Sequence, residues 1–430
     1  MFEPLAEHVI PSRESAATVP RRGLLLATLF AAQVGGSTGH SIIMAVGGIM
    51  AASITGTNAW SGVPVGVGAL GAALASWPLS RLMGRFGRRP GLAFGYGLAV
   101  VGAVLGMAGV LTSHFPLFLG GMTLFGVSNT SNLLARYAAA DVTPASQRGR
   151  AMGLIVWGST IGSILGPNLM TPAAQVGARL GLSPVGSAFL ISVAGFGLAA
   201  MLVEVLLRPD PLAVARRLEG VVSGAPVAPA RRLGAILGEP RVRIAFGSLM
   251  AGQLVMIGTT STSPVYLHDH GHHVGTIGLA VAMHLSGMYV ASPLSGWLSD
   301  RFGRGAMIAV GGVVLLLALA IAGLAPGREG GLVMVGLFLN GVGWNFAFVA
   351  ASALLTDVLS PGERASIQGL ADLVMGLLGA LGSAVGGFVL GTLGFGALNA
   401  LGAAVIATGL VVGIRHLPLA QRAGWREVRA

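Results

Sequence analysis

The sequence predicts an all-α membrane protein with twelve transmembrane helices in two pseudo-symmetric six-helix bundles. Three observations predict it. Apolar residues make up 53% of the 430 and charged residues only 10%, whereas a soluble surface needs about a quarter charged. Apolar runs of about 20 residues, the length that crosses a bilayer's hydrocarbon core, recur along the whole chain. Landmarks of the first half also return in the second, 216 residues on. A soluble enzyme and a nucleic-acid-binding domain are excluded, despite a formal charge of +11.

The spans fall at 24–49, 59–82, 91–112, 115–137, 150–170, 185–207, 243–263, 274–298, 306–325, 331–355, 366–390 and 394–414. The first 22 residues mix Glu3, Glu7 and Glu14 with Arg13, Arg21 and Arg22. The apolar run behind them is too long for a signal-peptide core, so it reads as a retained first span. All 26 basic residues are arginine. With both termini placed in the cytoplasm, only Arg179 and Arg328 fall outside, as the positive-inside rule requires. The proline- and arginine-rich stretch from Arg208 to Arg243 is a cytoplasmic linker with a surface helix about Leu212–Leu218. The expected division is an N-terminal segment (1–23), a six-helix bundle (24–207), the linker (208–242), a second bundle (243–414) and a tail (415–430).

The repeat is specific. Ser80–Arg89 (SRLMGRFGRR) matches Gly296–Gly305 (GWLSDRFGRG), and the same offset relates Asp141 to Asp357, Gly153 to Gly369 and Asn129 to Asn345. Duplicated halves place a substrate site near the midplane between them and suggest alternating access. The 69 glycines suit close helix packing.

Here the residues reach a family. Gly296, Asp300, Arg301, Gly303 and Arg304 resemble the Gly-x-x-x-Asp-Arg-x-Gly-Arg signature of the major facilitator superfamily (MFS), once per half. The first copy keeps Arg85, Gly87 and Arg88 but has Ser80 and Gly84 for the glycine and aspartate. The resemblance implies a conformational latch that also takes in Asp141, Arg148, Asp357 and Arg364. In it Asp300 would face the start of span eleven near Arg364. Gly153, Gly162, Gly166 and Pro167 in span five resemble the glycine-proline motif of MFS proton antiporters, with Met170 in place of the last glycine. Arg136–Asp141 (RYAAAD) with Pro144 and Arg148, and His284-x-x-x-Met288-Tyr289 before Ser292-Pro293, resemble the branch containing CcoA-type copper importers. Met256 fits that branch's span-seven element, but Thr260 replaces its second methionine. The resemblance implies copper uptake through His284, Met288 and Met256.

The bare chemistry is compatible with that. Thioether and imidazole suit Cu(I), and His284 and Met288, four apart, share a helix face, as do His40 and Met44. With no cysteine, a metal cargo would rest on His, Met and carboxylate. His268, Asp269, His270, His272 and His273 could collect metal outside, though such a run is also an ordinary solvated turn. Most methionines in a membrane protein simply fill gaps. His284 and Asp372, polar groups deep in spans, need partners or a cavity. Asp372 could be a proton carrier. Arg136 would pair with Asp141 or Glu204, while Gln33, Asn132, Gln253 and Trp157 could line a cavity. No phosphate-binding loop is present, so no ATP site and no cofactor are expected, and the transported ion or a proton is the only implied ligand.

Two readings therefore stand: an importer of a transition metal such as copper, or a proton-coupled antiporter exporting a small organic or drug-like molecule. A membrane sensor or scaffold is a third. None is an enzyme. The expected setting is the bacterial cytoplasmic membrane, as a monomer whose partners are the bilayer and the cargo.

Overall fold

The computed structural model describes residues 21–57, 60, 62–179, 181–183, 186–218, 231–326 and 329–416. Most of the N-terminal segment and of the tail lies outside them. Among the described residues the secondary structure is helical, with no strand.

The first bundle holds α1 (Arg22–Thr55), α2 (Val63–Phe86), α3 (Arg88–Leu111), α4 (Phe115–Phe125), α5 (Val127–Asp141), α6 (Arg148–Asn168), α7 (Met170–Ala178) and α8 (Ala188–Leu206). The linker contributes α9 (Pro211–Leu218) and α10 (Leu233–Gly238). The second bundle holds α11 (Pro240–Asp269), α12 (Val274–Tyr289), α13 (Ser292–Phe302), α14 (Arg304–Leu324), α15 (Gly330–Val358) and α16 (Pro361–His416). Eight of these stretches are long and apolar enough to cross a membrane, nine with the bent α1. α16 is two rods meeting at Gly394, whose φ of 85° and ψ of 171° no helix adopts. The pairs α4–α5 and α6–α7 supply the last two of the twelve rods. α4 and α5 are 11 and 15 residues, too short to cross singly, and α5 carries Asn129, Asn132, Arg136 and Asp141 while α6 carries Arg148 and Arg150. Except for the exposed Arg150, those polar residues are what the fold turns inward.

Two reversals need glycine. Gly87 (φ 109°) joins α2 to α3, and Gly303 (φ 91°) joins α13 to α14 at the same place in the repeat. A side chain is strained at such φ values, which explains one glycine of each signature copy.

Within the first bundle α1 packs on α6 and α8, and α3 on α4 and α8. Within the second α11 packs on α16, and α15 on α12 and α14. The bundles meet where α2 lies on α16 and α6 on α13. The span-five glycines divide between these tasks. Gly162 and Gly166 let α6 approach Ser37, Thr38 and Ser41 of α1, whereas Gly153 lies against the backbone of Ser292 on α13. Pro167 stands at the end of α6. The contacts between the bundles gather at the end where the linker runs, called the linker end below.

Candidate substrate cavity and interbundle latch

Between the bundles lies a cavity of about 90 Å³. Its first wall is hydrophilic: Gln33, Ser37, His40 and Ser41 from α1, Asn129, Asn132 and Arg136 from α5, and Ser159 and Ser163 from α6. On each helix these positions recur every three or four residues, so they form one face. The second wall is aromatic, from Tyr289 of α12 and Trp344 and Phe348 of α15. Trp344 and Phe348 stack with centroids 4.4 Å apart.

The polar wall is held together by its own hydrogen bonds. Gln33 Nε2 donates to Ser159 Oγ at 2.7 Å. Asn132 accepts from Tyr96 Oη at 2.9 Å and donates to Ser37 Oγ at 3.3 Å. His40 Nδ1 lies 3.0 Å from Ser128 Oγ, and its ring stacks on Phe125. Across the cavity, Trp344 Nε1 donates to Gln253 at 3.0 Å.

Arg136, on the floor of the cavity, belongs to an ion pair that joins the bundles. Arg136 Nη2 of α5 lies 2.7 Å from Asp372 Oδ1 of α16, with both side chains at most 1% exposed. The guanidinium also donates to Tyr137 Oη at 2.9 Å and Ser352 Oγ at 3.3 Å, and to Leu133 O. It sits over the rings of Tyr137 and Phe348, 4.2 and 4.4 Å from their centroids. Asp372 Oδ2 has no hydrogen-bond partner. The expected partners of Arg136 are thus corrected. Asp141 pairs with Arg88 and Arg364, and Glu204 with Arg89 and Arg208.

Toward the linker end lies a set of charges related by the repeat. Asp141 takes Arg88 from its own bundle at 2.8 Å and Arg364 from the other at 3.5 Å. Asp357 takes Arg304 from its own bundle at 3.1 Å and Arg148 from the other at 2.8 Å. Each member of one triad stands 216 residues from its counterpart in the other. Asp300 accepts from the backbone N–H groups of Gly149 and Arg150, at 2.9 and 2.8 Å, at the start of α6. A carboxylate there satisfies free N–H groups and meets the positive end of the helix dipole. The expectation that Asp300 faces span eleven is therefore corrected to span five, and Arg364 instead faces Asp141. Arg85 and Arg301 take no part in these pairs and lie over Phe86 and Trp297.

The comparisons with known proteins give the family. The Major Facilitator Superfamily model matches residues 25–275 and 264–429. The chain belongs to the major facilitator superfamily. It is 32% identical over 398 residues to the uncharacterized MFS-type transporter YdeG of Bacillus subtilis, covering 91% of each chain. It is 29% identical over 395 residues to the riboflavin transporter RfnT of Brucella anthropi, covering 92% of this chain and 96% of that one. Among solved structures, the proton:xylose symporter XylE superposes with a TM-score of 0.73 at 13% identity, over 92% and 96% of the two chains. The chain is thus a multi-pass MFS membrane transporter.

Within this MFS frame, His40 alone of the proposed His and Met ligands lines the central cavity. His284 is 2% exposed and lies among helices of the second bundle. Its Nδ1 is 3.0 Å from Leu337 O of α15, and its Nε2 is 3.3 Å from Thr260 Oγ1 of α11. Met256 and Met288 are buried in the hydrophobic core, and Met44 packs against that of the first bundle. His268 meets Asp269 at 3.5 Å, and His270 meets Tyr266 O at 2.7 Å. Among the described residues no group of three or more His, Cys, Asp or Glu could hold a metal ion. Trp157 stacks on Phe30, and Asn345 donates to Met288 O and Ser292 Oγ. The residues not anticipated from sequence are the serines of the polar wall and the aromatic wall itself. For Ser37 and Ser41 the signal was helical spacing from Gln33, whereas Ser159, Ser163 and the aromatic wall stand on other helices and had none.

Proposed function

We propose that this transporter carries a small organic solute with a flat aromatic framework and hydrogen-bonding edges, by alternating access around the central cavity. The observation that carries this reading is the division of the cavity into an amide- and hydroxyl-lined wall on one bundle and an aromatic wall on the other. A solute bridging them would hydrogen-bond to Gln33, Ser37, Asn129 or Asn132 while stacking on Trp344 and Phe348. At about 90 Å³, the cavity is smaller than the roughly 300–1,000 Å³ of typical ligand pockets. The bundles must therefore part to admit a substrate. The similarity to a riboflavin transporter supports a solute of this kind. Copper import is less favoured, because His284, Met256 and Met288 lie off the cavity and both imidazole nitrogens of His284 already have partners.

Protons are the coupling ion of this proposal. The bare Oδ2 of Asp372 is where a proton would add. Protonation would remove the negative charge that ties α16 to Arg136 on α5, loosening the floor of the cavity between the bundles. The arginine-rich linker end would face the cytoplasm, making the arrangement seen here the one closed on that side.

The test uses the purified full chain in proteoliposomes, with radiolabelled riboflavin and an imposed proton gradient. Gradient-driven flux above that of empty liposomes is expected, with Trp344→Ala abolishing it. Asp372→Asn should lose the gradient-driven component and keep passive exchange. Absence of flux in either direction for riboflavin, together with copper flux that His284→Ala abolishes, would replace this reading with the metal one.

A further inference from the structure

A second and larger space, about 200 Å³, opens on the outer side of the second bundle, between α11, α14 and α16. Its lining is apolar, with Ile244, Ile308, Leu315, Ile406 and Leu410 on its walls. Gly247, Gly409 and Gly413 widen it, since a Cβ on any of them would meet no atom within 4 Å. The neighbouring surface is apolar and exposed: Val310, Val313 and Val412 are 42%, 59% and 49% exposed. In a membrane-spanning bundle that surface meets hydrocarbon.

Water is a poor occupant, because it needs two or more polar partners. An unfilled apolar crevice forfeits the dispersion contacts of its lining. A hydrocarbon tail satisfies both requirements. The linker-end mouth carries Arg243, in the first turn of α11. Its guanidinium is exposed and pairs with no carboxylate among the described residues. At its inner end the crevice reaches Gly252, where a Cβ would lie 3.7 Å from Trp344, the residue whose ring lines the central cavity.

We propose that this crevice binds one anionic phospholipid from the leaflet at the linker end. One acyl chain lies between α11, α14 and α16, and the phosphate rests on Arg243. The tail then forms the back support of the aromatic wall, so the lipid is a structural component of the substrate cavity.

Native mass spectrometry of the full chain in detergent tests this, with phosphatidylglycerol and phosphatidylcholine of identical oleoyl chains. One phosphatidylglycerol per chain should be retained about fivefold better than phosphatidylcholine, the worth of one arginine against an anionic headgroup. Gly409→Leu should fill the crevice and lose the bound lipid of either type. Gly247→Leu, on another wall, makes the same test should the first variant fold poorly. Arg243→Gln should keep one lipid and lose the preference. Undiminished retention in a folded leucine variant, or an undiminished preference in Arg243→Gln, overturns the proposal.

Discussion

Asp372 engages Arg136 through one carboxylate oxygen and leaves the other bare, in a place from which water is shut out. Removing one partner of such a pair strands a buried charge, at a cost of about 3–5 kcal/mol. Asp372→Ala should therefore lower thermal stability in detergent strongly, whereas Asp372→Ala combined with Arg136→Leu should recover much of the loss. A double variant no more stable than the single one would mean that the arginine is satisfied without its carboxylate. Asp372 was legible in the sequence as a polar group deep in a span, but its partner was not. Nearness in sequence and shared depth pointed Arg136 toward Asp141 and Glu204. The true partner is set by how α16 faces α5 across the bundle boundary, which no local pattern encodes. The copper ligands failed to gather for a related reason. The four-residue spacing of His284 and Met288 fixes a shared helix face, but not whether that face looks into the cavity or into its own bundle.

At the scale of elements, the two signature copies differ by an exchange of small residues. In the second copy Asp300 fits because the opposing residue at the start of α6 is Gly149. A Cβ there would come 2.8 Å from Asp300 Oδ1 and 2.6 Å from Gly296 O. In the first copy the aspartate's place is Gly84, and the opposing residue is Ala365, whose Cβ lies 3.0 Å from where a Gly84 Cβ would be. The linker packs on this first copy. Asp210 accepts from Arg89 N at 2.8 Å at the start of α3, and Arg216 donates to Gly84 O at 3.4 Å. Gly84→Asp alone should thus open the linker end, and adding Ala365→Gly should close it again. Because the chain has no cysteine, a single cysteine at Ser76, 2% exposed beside α16, would report the change by its rate of maleimide labelling. Faster labelling in Gly84→Asp and a return toward the starting rate in the double variant is the expected pattern. Equal rates in all three would dismiss the steric account. The degenerate motif was visible in the sequence, whereas its contacts with the linker were not, because Asp210 and Arg216 lie more than 120 residues from their contacts.

At the scale of the whole molecule, the constant offset of 216 residues revealed the duplication before any coordinates. It now relates the Arg88–Asp141–Arg364 triad to the Arg304–Asp357–Arg148 triad. The linker joins this closure as well. The Arg231 side chain donates twice to Glu363 at the start of α16, at 2.8 and 2.9 Å, while Glu363 also accepts from Arg231 N at 3.2 Å and Ser360 N at 3.1 Å. Paired donors on a carboxylate give both strength and orientation. Arg231→Gln should loosen the linker from α16 and raise labelling at Ser76→Cys by a few-fold, with transport substrate affinity unchanged. An unaltered rate would make the strap incidental to closure.

The triads have a consequence for ions in solution. When the bundles part, Arg88 can stay with Asp141 and Arg304 with Asp357, since each pair belongs to one bundle. The face of the first bundle then carries Arg88, Arg136 and Arg148 against Asp141, and that of the second carries Arg304 and Arg364 against Asp300, Asp357 and Asp372. The vestibule that opens between them therefore has one wall with a surplus of positive charge and one without. Such a recess concentrates mobile anions beside the first bundle, and dissolved salt weakens the attraction that draws the two walls together. Ionic strength thus becomes a control on the cycle, favouring the parted state as it rises.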